Sequence, residues 1–315
     1  MTLTAENHLR LPVLAIVGPT ASSKSELAIE LAQTLNGEII CTDSMQVYRF
    51  MDIGTAKPDK VDQAKIPHHQ LDLIEPDQTY SAGKFETDCD HLIQAIAQKN
   101  KLPILVGGTG LYFRAAVYGI SKIPAVPEAL REQVETWHAE HGLNYCYQQL
   151  RNHDPVMAER LHANDTSRIL RALEVWLHTG TSMAVFQEQN AFADATPKYP
   201  LLALGYQFER ETLYERINQR TLLMMDAGWI EEVEFLLERY SPELKPLKAI
   251  GYLQIAQYLS GKLTRDAMVE QIQQKTRNFA KRQLTWFRKE PDIHWFAKGQ
   301  ESLILDSIRR FRQND

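Results

Sequence analysis

Short apolar runs alternate with segments of helical periodicity over the first part of the chain. Residues 13–17, 38–42 and 102–106 are largely apolar runs of strand length, and each leads into a turn. The segments between them, 26–32 and 81–97, repeat their apolar residues at helical spacing. Because continuous apolar strands alternating with helices are typical of buried parallel sheets, the pattern predicts an α/β fold.

The pattern changes at Pro124, after which four helical stretches follow with no strand between them. They cover residues 128–140, 143–152, 155–161 and 167–179. Strand character returns at 199–206, a long helix is predicted at 211–227, and a short apolar segment at 294–296 predicts a last strand. We therefore predict an inserted all-helical domain over residues 122–196. The core domain is then formed by residues 1–121 and 197–315.

The turn after the first apolar run has the pattern of a phosphate-binding loop. Gly18, Lys24 and Ser25 match it, and the expected loop comprises Gly18, Pro19, Thr20, Ala21, Ser22, Ser23, Lys24 and Ser25. In such a loop, N–H groups at a helix N-terminus face an anion, the lysine adds charge and the hydroxyl serves a metal ion. The alternative is an ordinary strand, turn and helix. The Lys-Ser pair favours phosphate binding, and the fold prediction becomes a P-loop NTPase-like parallel sheet flanked by helices.

Ser23 departs from the loop pattern, which has glycine at this position. Glycine lets the backbone approach a phosphate with no Cβ in the way. A serine fits here if its φ is negative. We therefore expect Ser23 to affect the geometry or turnover of the loop rather than its existence.

Two further strand ends carry polar side chains. Asp43 follows the second apolar run, and Thr109 lies in the glycine-containing turn after the third. Ligands of open parallel sheets bind beyond the carboxyl ends of the strands, so these residues should meet the phosphate loop in one crevice. Position favours Asp43 as a general base. Its alternative is a helix N-cap before residues 45–48.

Composition narrows the class of protein. The 315 residues carry a formal charge of −5, which argues against a protein coated in positive charge for nonspecific nucleic-acid binding. We find no signal peptide or membrane span and expect a cytoplasmic protein. Three scattered cysteines suggest no disulfide framework or zinc site, and His68-His69 suits hydrogen bonding better than metal binding. The basic stretch 275–289 is typical of a solvated helix face.

Several motifs in this order strongly resemble the tRNA dimethylallyltransferase family, the tRNA isopentenyltransferases. They are the loop 18–22, residues 43–48 (DSMQVY), 51–58 (MDIGTAKP), 107–112 (GGTGLY), 171–175 (RALEV), 248–252 (KAIGY), 276–277 (TR) and 281–287 (KRQLTWF). Most are weak individually. Together they extend the resemblance over nearly the whole chain.

The resemblance implies a donor, an acceptor and catalytic roles. The diphosphate of dimethylallyl diphosphate, rather than ATP, would occupy the loop, and N6 of adenosine 37 in tRNAs reading codons that begin with U would be the acceptor. By this analogy Asp43 accepts the N6 proton, Lys24 and Arg220 stabilise the departing diphosphate, and Mg²⁺ lies near Ser25 and Thr109. Thr109 and Arg131 also match positions linked to substrate.

The resemblance also implies which residues contact the tRNA. Beside Asp43, Thr109 and Arg131, the matching positions are Ser44, Met45, Gln46, Ser167, Arg168, Ile169, Leu170, Arg171, Lys248, Ala249, Ile250, Gly251, Tyr252 and Leu253. The inserted domain is then expected to grip the anticodon stem-loop, with Arg168 and Arg171 near backbone phosphates. Pairing of Arg171 with Glu174 is the alternative for that residue. We expect a monomer.

Three other functions stay open from the sequence. Two are enzymatic: prenyl transfer to free AMP or ADP, and phosphorylation of a small metabolite. The inserted domain and the basic stretch weigh against both, because a small acceptor needs neither. The third is a nucleotide-dependent RNA-binding protein without chemistry, which Ser23 makes worth testing.

Overall fold

The computed structural model describes residues 11–188 and 196–313 and contains a six-stranded parallel sheet. The strands are β1 (Val13–Val17), β2 (Gly37–Cys41), β3 (His68–His69), β4 (Leu102–Gly107), β5 (Leu201–Gln207) and β6 (Ile293–Ala297). Their order across the sheet is β3-β2-β4-β1-β5-β6, and each neighbouring pair is parallel. The predicted fold class is confirmed.

Helices lie between these strands along the chain and follow the last of them. In chain order they are α1 (Lys24–Leu35), α2 (Lys60–Lys65), α3 (Ala82–Gln98), α4 (Gly110–Tyr118), α5 (Glu128–His153), α6 (Pro155–Arg160), α7 (Thr166–Thr179), α8 (Met183–Glu188), α9 (Arg210–Asp226), α10 (Trp229–Leu237), α11 (Tyr252–Leu259), α12 (Arg265–Phe287) and α13 (Glu301–Gln313), with a 3₁₀ turn at Lys245–Lys248. Within the described chain, no helix combines the length and apolar character that crossing a membrane requires.

The register of the sheet brings three strand ends to one edge. Val17 at the end of β1 pairs with Gly107 of β4 and Gly205 of β5, and Cys41 at the end of β2 pairs with Val106. The loops after β1, β2 and β4 therefore start side by side. This is the convergence that the three apolar runs predict.

The main core forms because the strands and α1 are both apolar where they meet. All five residues of β1 are buried. Helix α1 buries Leu27, Ala28, Leu31 and Ala32 against the sheet, at the helical spacing read from the sequence. The first strand and the helix after the phosphate loop are thus held firmly by the core. The loop between them has fixed ends.

The chain divides into two compact units. Ile120–Thr196 forms one, and the segments on either side form the other. The first has its own apolar core, built from α5 to α8 and including Val134, Leu150, Ile169 and Leu173. Gly142, at φ 79°, interrupts α5 between the two helices predicted there, and α8 is a helix that the pattern does not predict.

The segment between β2 and α3 contains small regular elements. Residues 49–82 include helix α2 and the short edge strand β3 as well as turns. Asp59 caps α2 through a hydrogen bond from the Asp62 N–H to its carboxylate (2.8 Å). The short strand forms because β2 still has a free edge, a tertiary effect that periodicity does not report.

Candidate active site

A cleft of about 1270 Å³ opens at the carboxyl edge of the sheet. Residues from the loops after β1, β2 and β4 line it, including Thr20–Ser25, Asp43 and Thr109. Residues of α9 and α12 line it as well, among them Arg220 and Gln283. The residues that we predict from three separate strand ends therefore share one cleft.

The phosphate loop has an open helix N-terminus. Ser23 is the N-cap residue of α1, and its side chain makes no capping hydrogen bond. The first N–H groups of the helix are thus left for a ligand. Lys24 begins the helix and donates from Nζ to the carbonyl of Pro19 (3.1 Å), and Ser25 is exposed in the first turn. This geometry suits an anion with phosphate oxygens.

Ser23 does not have the negative φ under which we expected a serine to fit. Its φ is 57° and its ψ is 18°, which is the left-handed helical region, and Ala21 is also left-handed at φ 62°. The chain must turn sharply between the end of β1 and the start of α1. Two residues with side chains adopt a conformation that usually favours glycine. A side chain from another part of the fold donates hydrogen bonds to both of these residues.

The cations of the site lie close together. Burial, and then the charge of Arg220, lower the pKa of Lys24 to about 8, while Asp43 opposes the shift. Burial likewise lowers the pKa of Arg220, whose guanidinium donates to the Thr20 hydroxyl (3.1 Å). Like charges held together out of water are stabilised when an anion joins them. The electrostatics therefore favour a diphosphate or similar group.

Asp43 lies in a turn rather than at the start of a helix. Residues 44–50 form turns, and Asp43 Oδ1 accepts a hydrogen bond from the Met45 N–H (2.9 Å). The alternative that Asp43 is a helix N-cap is therefore wrong. Thr109 joins the same turn, because its hydroxyl accepts from the Ser44 N–H (3.2 Å). The carboxylate lines the same cleft as Lys24 and Arg220, and its charge opposes the lowering of the pKa of both.

Gln283 and Arg216 are site residues to which the sequence gives no role. The Gln283 amide accepts from the Thr20 N–H (2.9 Å) and donates to the Gly108 carbonyl (2.8 Å), so α12 joins the phosphate loop to the turn after β4. Arg216 donates to the Ala21 carbonyl and the Ser23 hydroxyl. Arg216 lies one turn before Arg220, and this spacing is the signal that could have identified it.

A half-buried carboxylate organises one wall of the cleft. Glu232 on α10 accepts hydrogen bonds from three successive N–H groups, those of Asp52, Ile53 and Gly54 (2.9, 2.6 and 3.1 Å). It also accepts from the Tyr252 hydroxyl (2.7 Å). The segment it holds in turn fixes Gln46, whose amide donates to the carbonyls of residues 55 and 56.

Most of the core positions expected to contact tRNA line this cleft. They are Asp43, Ser44, Met45, Gln46, Thr109, Lys248, Ala249, Ile250 and Tyr252. Gly251 and Leu253 belong to the same segment without lining the cleft. Tyr252 is buried, and its ring packs against the Trp229 ring. Lys248 is exposed and pairs with Glu243 (2.8 Å).

The remaining expected tRNA positions lie in the helical unit. Arg131 is on α5, and Ser167 to Arg171 are on α7. Arg168 pairs with Asp165 (2.8 Å) and Arg171 with Glu174 (3.0 Å), so the pairing that we gave as the alternative for Arg171 is present. Ile169 is fully buried, and its side chain serves the core of this unit.

Oxygen donors are the available metal ligands in this cleft. In the described part of the chain, no group of three or more His, Cys, Asp and Glu side chains is placed to hold a metal ion. His68 and His69 instead form hydrogen bonds with the Ile66 carbonyl and with Glu38, and hydrogen bonding is the role that the sequence predicts for them. Mg²⁺ requires few protein ligands when phosphate oxygens and water complete its shell. The hydroxyls of Ser25 and Thr109 fit that role.

Together, these features define a phosphate-loop protein whose anion site faces a carboxylate. A family model described as IPP transferase matches residues 46–290. A tRNA dimethylallyltransferase from Carboxydothermus hydrogenoformans is 45% identical over 93% of its length and 92% of this chain, and one from Geobacter sulfurreducens is 45% identical over 91% and 90%. The chain therefore belongs to the IPP transferase family, and the resemblance read from the motifs is confirmed.

Solved structures agree with this assignment. The tRNA isopentenylpyrophosphate transferase of Bacillus halodurans is 34% identical with a TM-score of 0.70, covering 96% of this chain and 99% of its own. A eukaryotic dimethylallyltransferase acting on tRNA is 30% identical with a TM-score of 0.78, covering 91% and 73%.

Proposed function

We propose that the protein transfers a dimethylallyl group from dimethylallyl diphosphate to N6 of adenosine 37 in tRNAs reading codons that start with U. The products are N6-isopentenyladenosine 37 and diphosphate. Relatives named tRNA dimethylallyltransferase, and a neighbour described as acting on tRNA, support the reaction class. The observation that carries the proposal is that Asp43 lines the same cleft as Lys24 of the phosphate loop and Arg220.

The donor is held by its diphosphate. The uncapped N-terminus of α1 offers N–H groups, and Lys24 and Arg220 add positive charge. Protonated Lys24 is favoured once the anion is bound, because the anion offsets the repulsion from Arg220. The same cations stabilise the charge that develops on the leaving diphosphate.

The transfer exchanges one bond for another at the allylic carbon. The N6 lone pair attacks C1 of the dimethylallyl group while the bond from C1 to the diphosphate oxygen breaks. The bonding electrons leave with the diphosphate, and Asp43 takes the proton from N6. A general base within hydrogen-bond distance of the proton that it accepts contributes about 10²- to 10⁴-fold in rate.

Mg²⁺ is the cofactor that we propose for this site. The hydroxyls of Ser25 and Thr109 would hold it, and both residues line the cleft. When bound, the ion neutralises charge on the diphosphate oxygens. The Thr109 hydroxyl also remains tied to the turn of Asp43 through Ser44.

The acceptor adenine has to leave the stacked anticodon loop to reach Asp43. Enzymes that modify an atom of a base in folded nucleic acid extrude that base into a pocket, and a deep cleft suits this. We propose that residues 44–46 and 248–253 contact the tRNA in the core unit. Arg131 and residues 167–171 would contact the anticodon stem-loop from the inserted domain. The protein would act as a monomer in the cytoplasm.

The test offers the protein three acceptors. Purified protein is incubated with Mg²⁺, dimethylallyl diphosphate and an unmodified anticodon stem-loop containing A36-A37-A38, with AMP alone, or with a stem-loop carrying G37. Mass spectrometry should show one added isopentenyl group on A37 and none elsewhere. Product on AMP would establish the free-nucleotide alternative. Binding of the stem-loop with no product and no released diphosphate would establish the binding protein.

A further inference from the structure

The guanidinium of Arg216 joins two points of the phosphate loop. Its Nε donates to the Ala21 carbonyl (2.8 Å), and one terminal nitrogen donates to the Ser23 hydroxyl (2.5 Å). Ala21 and Ser23 are the two loop residues with positive φ. The arginine therefore holds the loop at the two positions where its backbone is least favourable.

Packing fixes the arginine itself. Its guanidinium lies over the Phe208 ring, 5.3 Å from the centroid. The Ala21 side chain packs with Leu213, Ile217 and Ala280, so the loop is anchored on that side by apolar contacts. A rigid planar fork suits two hydrogen bonds in fixed directions better than an ammonium does.

We propose that Arg216 and Ser23 form a brace that holds the phosphate loop ready for diphosphate, with Arg216 acting as a positioning residue. This inference rests on the proposed function, in which the loop binds the diphosphate of the donor. Because Ser23 immediately precedes Lys24, its conformation sets where the lysine and the first N–H groups of α1 point. The serine that replaces the usual glycine then supplies the hydroxyl that accepts a hydrogen bond from Arg216, which glycine could not do.

The competing role for Arg216 is direct contact with the diphosphate. It lines the cleft, and its charge contributes to the lowered pKa of Arg220. The two roles differ in their dependence on Ser23. A brace needs the hydroxyl, whereas a direct ligand acts whether or not the hydroxyl is present.

The experiment measures binding of inorganic diphosphate with Mg²⁺ by calorimetry. The variants are Ser23→Ala, Arg216→Gln, both together, and Arg216→Lys. We expect each single variant to weaken binding about tenfold and the double variant to be no weaker than the worse single one, because the pair acts as a unit. Arg216→Lys should resemble Arg216→Gln, because an ammonium keeps the charge but cannot make the two hydrogen bonds of the guanidinium at once. Arg210→Gln, an exposed arginine on the same helix, is the control and should bind normally.

Additive losses, of about a hundredfold in the double variant, would overturn the brace and establish direct contact. Wild-type affinity in Ser23→Ala or in Arg216→Lys would overturn it too. If the wild-type protein bound no diphosphate, the donor site of the proposed function would fail instead. Thermal unfolding of every variant without ligand shows that it is folded, and Ser23→Ala keeps the test open should Arg216→Gln not fold.

Ser23→Gly separates the hydroxyl from the backbone strain. Glycine adopts the left-handed conformation freely but gives Arg216 nothing to hold. We expect binding between that of Ser23→Ala and wild type, with kcat for prenyl transfer lowered by a smaller factor than the diphosphate affinity. Binding tighter than wild type would show that strain at Ser23 outweighs the brace.

Discussion

Two charged clusters lie at opposite ends of strand β2, and their charges are balanced differently. Near its start, Glu38 is 2% exposed and receives hydrogen bonds from Lys101 (2.8 Å), His69 (2.8 Å) and Lys99 (3.2 Å). Beyond its end, Lys24 and Arg220 lie together near Asp43. Although burial opposes it, these bonds lower the pKa of Glu38 to about 2, whereas burial and repulsion lower the pKa of Lys24 to about 8.

The difference separates a structural cluster from one suited to bind an anion. The charge of Glu38 is more than compensated by its own neighbours, so the cluster needs no ligand. The charge of Lys24 is made less favourable by its surroundings, so the cluster is of the kind that a bound anion would stabilise. Buried charge alone does not indicate a site. The informative feature is whether the fold supplies the counter-charge.

Replacing Asp43 should have the largest effect on activity. Asp43→Asn keeps the shape of the side chain but cannot take the N6 proton, so kcat should fall about a thousandfold. Binding of diphosphate should remain, because Lys24 and Arg220 are untouched. Single-turnover kinetics measure the first quantity and calorimetry the second. A fall of less than tenfold in kcat would remove Asp43 from the role of base.

The Glu38 cluster should respond in stability and not in activity. Glu38→Gln leaves Lys99, Lys101 and His69 without a counter-charge, and unfolding in urea should show a loss of about 2 kcal/mol, reduced from the value for a fully buried pair because Lys99 is about half exposed. The kcat of the folded variant should be unchanged. A large loss of kcat would show that the two ends of β2 are coupled.

The pH dependence of this stability has a definite sign. The pKa of Glu38 is lower in the folded protein, so its stabilising effect is present above the ordinary value of 4.5 and is lost as pH falls from there toward 2. Between pH 5 and pH 3, the wild-type protein should therefore lose more stability than Glu38→Gln. Equal losses in the two proteins would contradict the assignment.

The fold was predictable because its pattern is local. The apolar run 13–17 coincides with β1, the run 102–106 lies within β4, and the short segment 294–296 lies within the last strand, β6. The meeting of the loop with Asp43 and Thr109 followed from the rule for parallel strands. The roles of Gln283 and Arg216 did not follow. Their partners lie 263 and 193 residues away in sequence, and no periodicity reports such contacts.

The conformation of Ser23 was also beyond the sequence. Its left-handed backbone is accompanied by a hydrogen bond from Arg216 on α9, and the negative φ that we took as the condition for a serine to fit is not met. Tertiary contacts here outweigh the preference of residues with a Cβ for negative φ. Such conflicts between local rule and fold are expected at functional sites.

The lowered pKa of Lys24 predicts a pH dependence of diphosphate binding. Lys24 is mostly protonated at pH 7 and mostly neutral at pH 9, and binding requires the charged form, so affinity should fall about tenfold over this range. Lys24→Arg stays charged throughout, and its curve shows only the ionisation of the ligand. Calorimetry in two buffers should also show proton uptake at pH 8.5 in the wild type. Parallel curves for the two proteins would mean that Lys24 has an ordinary pKa.

A smaller effect is expected at Glu232, a carboxylate whose hydrogen-bond partners lie within the fold and include Gly54 and Tyr252, which line the cleft. Glu232→Gln turns one acceptor toward the N–H groups of residues 52–54 into a donor, so this segment and Tyr252 should shift. We expect the KM for the stem-loop to rise about fivefold, with diphosphate affinity unchanged, because the phosphate loop does not contact Glu232. Glu231→Gln, its exposed neighbour on α10, is the matched control and should behave as wild type. Weaker diphosphate binding in Glu232→Gln would show that the segment held by Glu232 is coupled to the phosphate loop. A carboxylate whose partners lie within the fold would then also affect the anion site, and the contrast with the Lys24 cluster would fail.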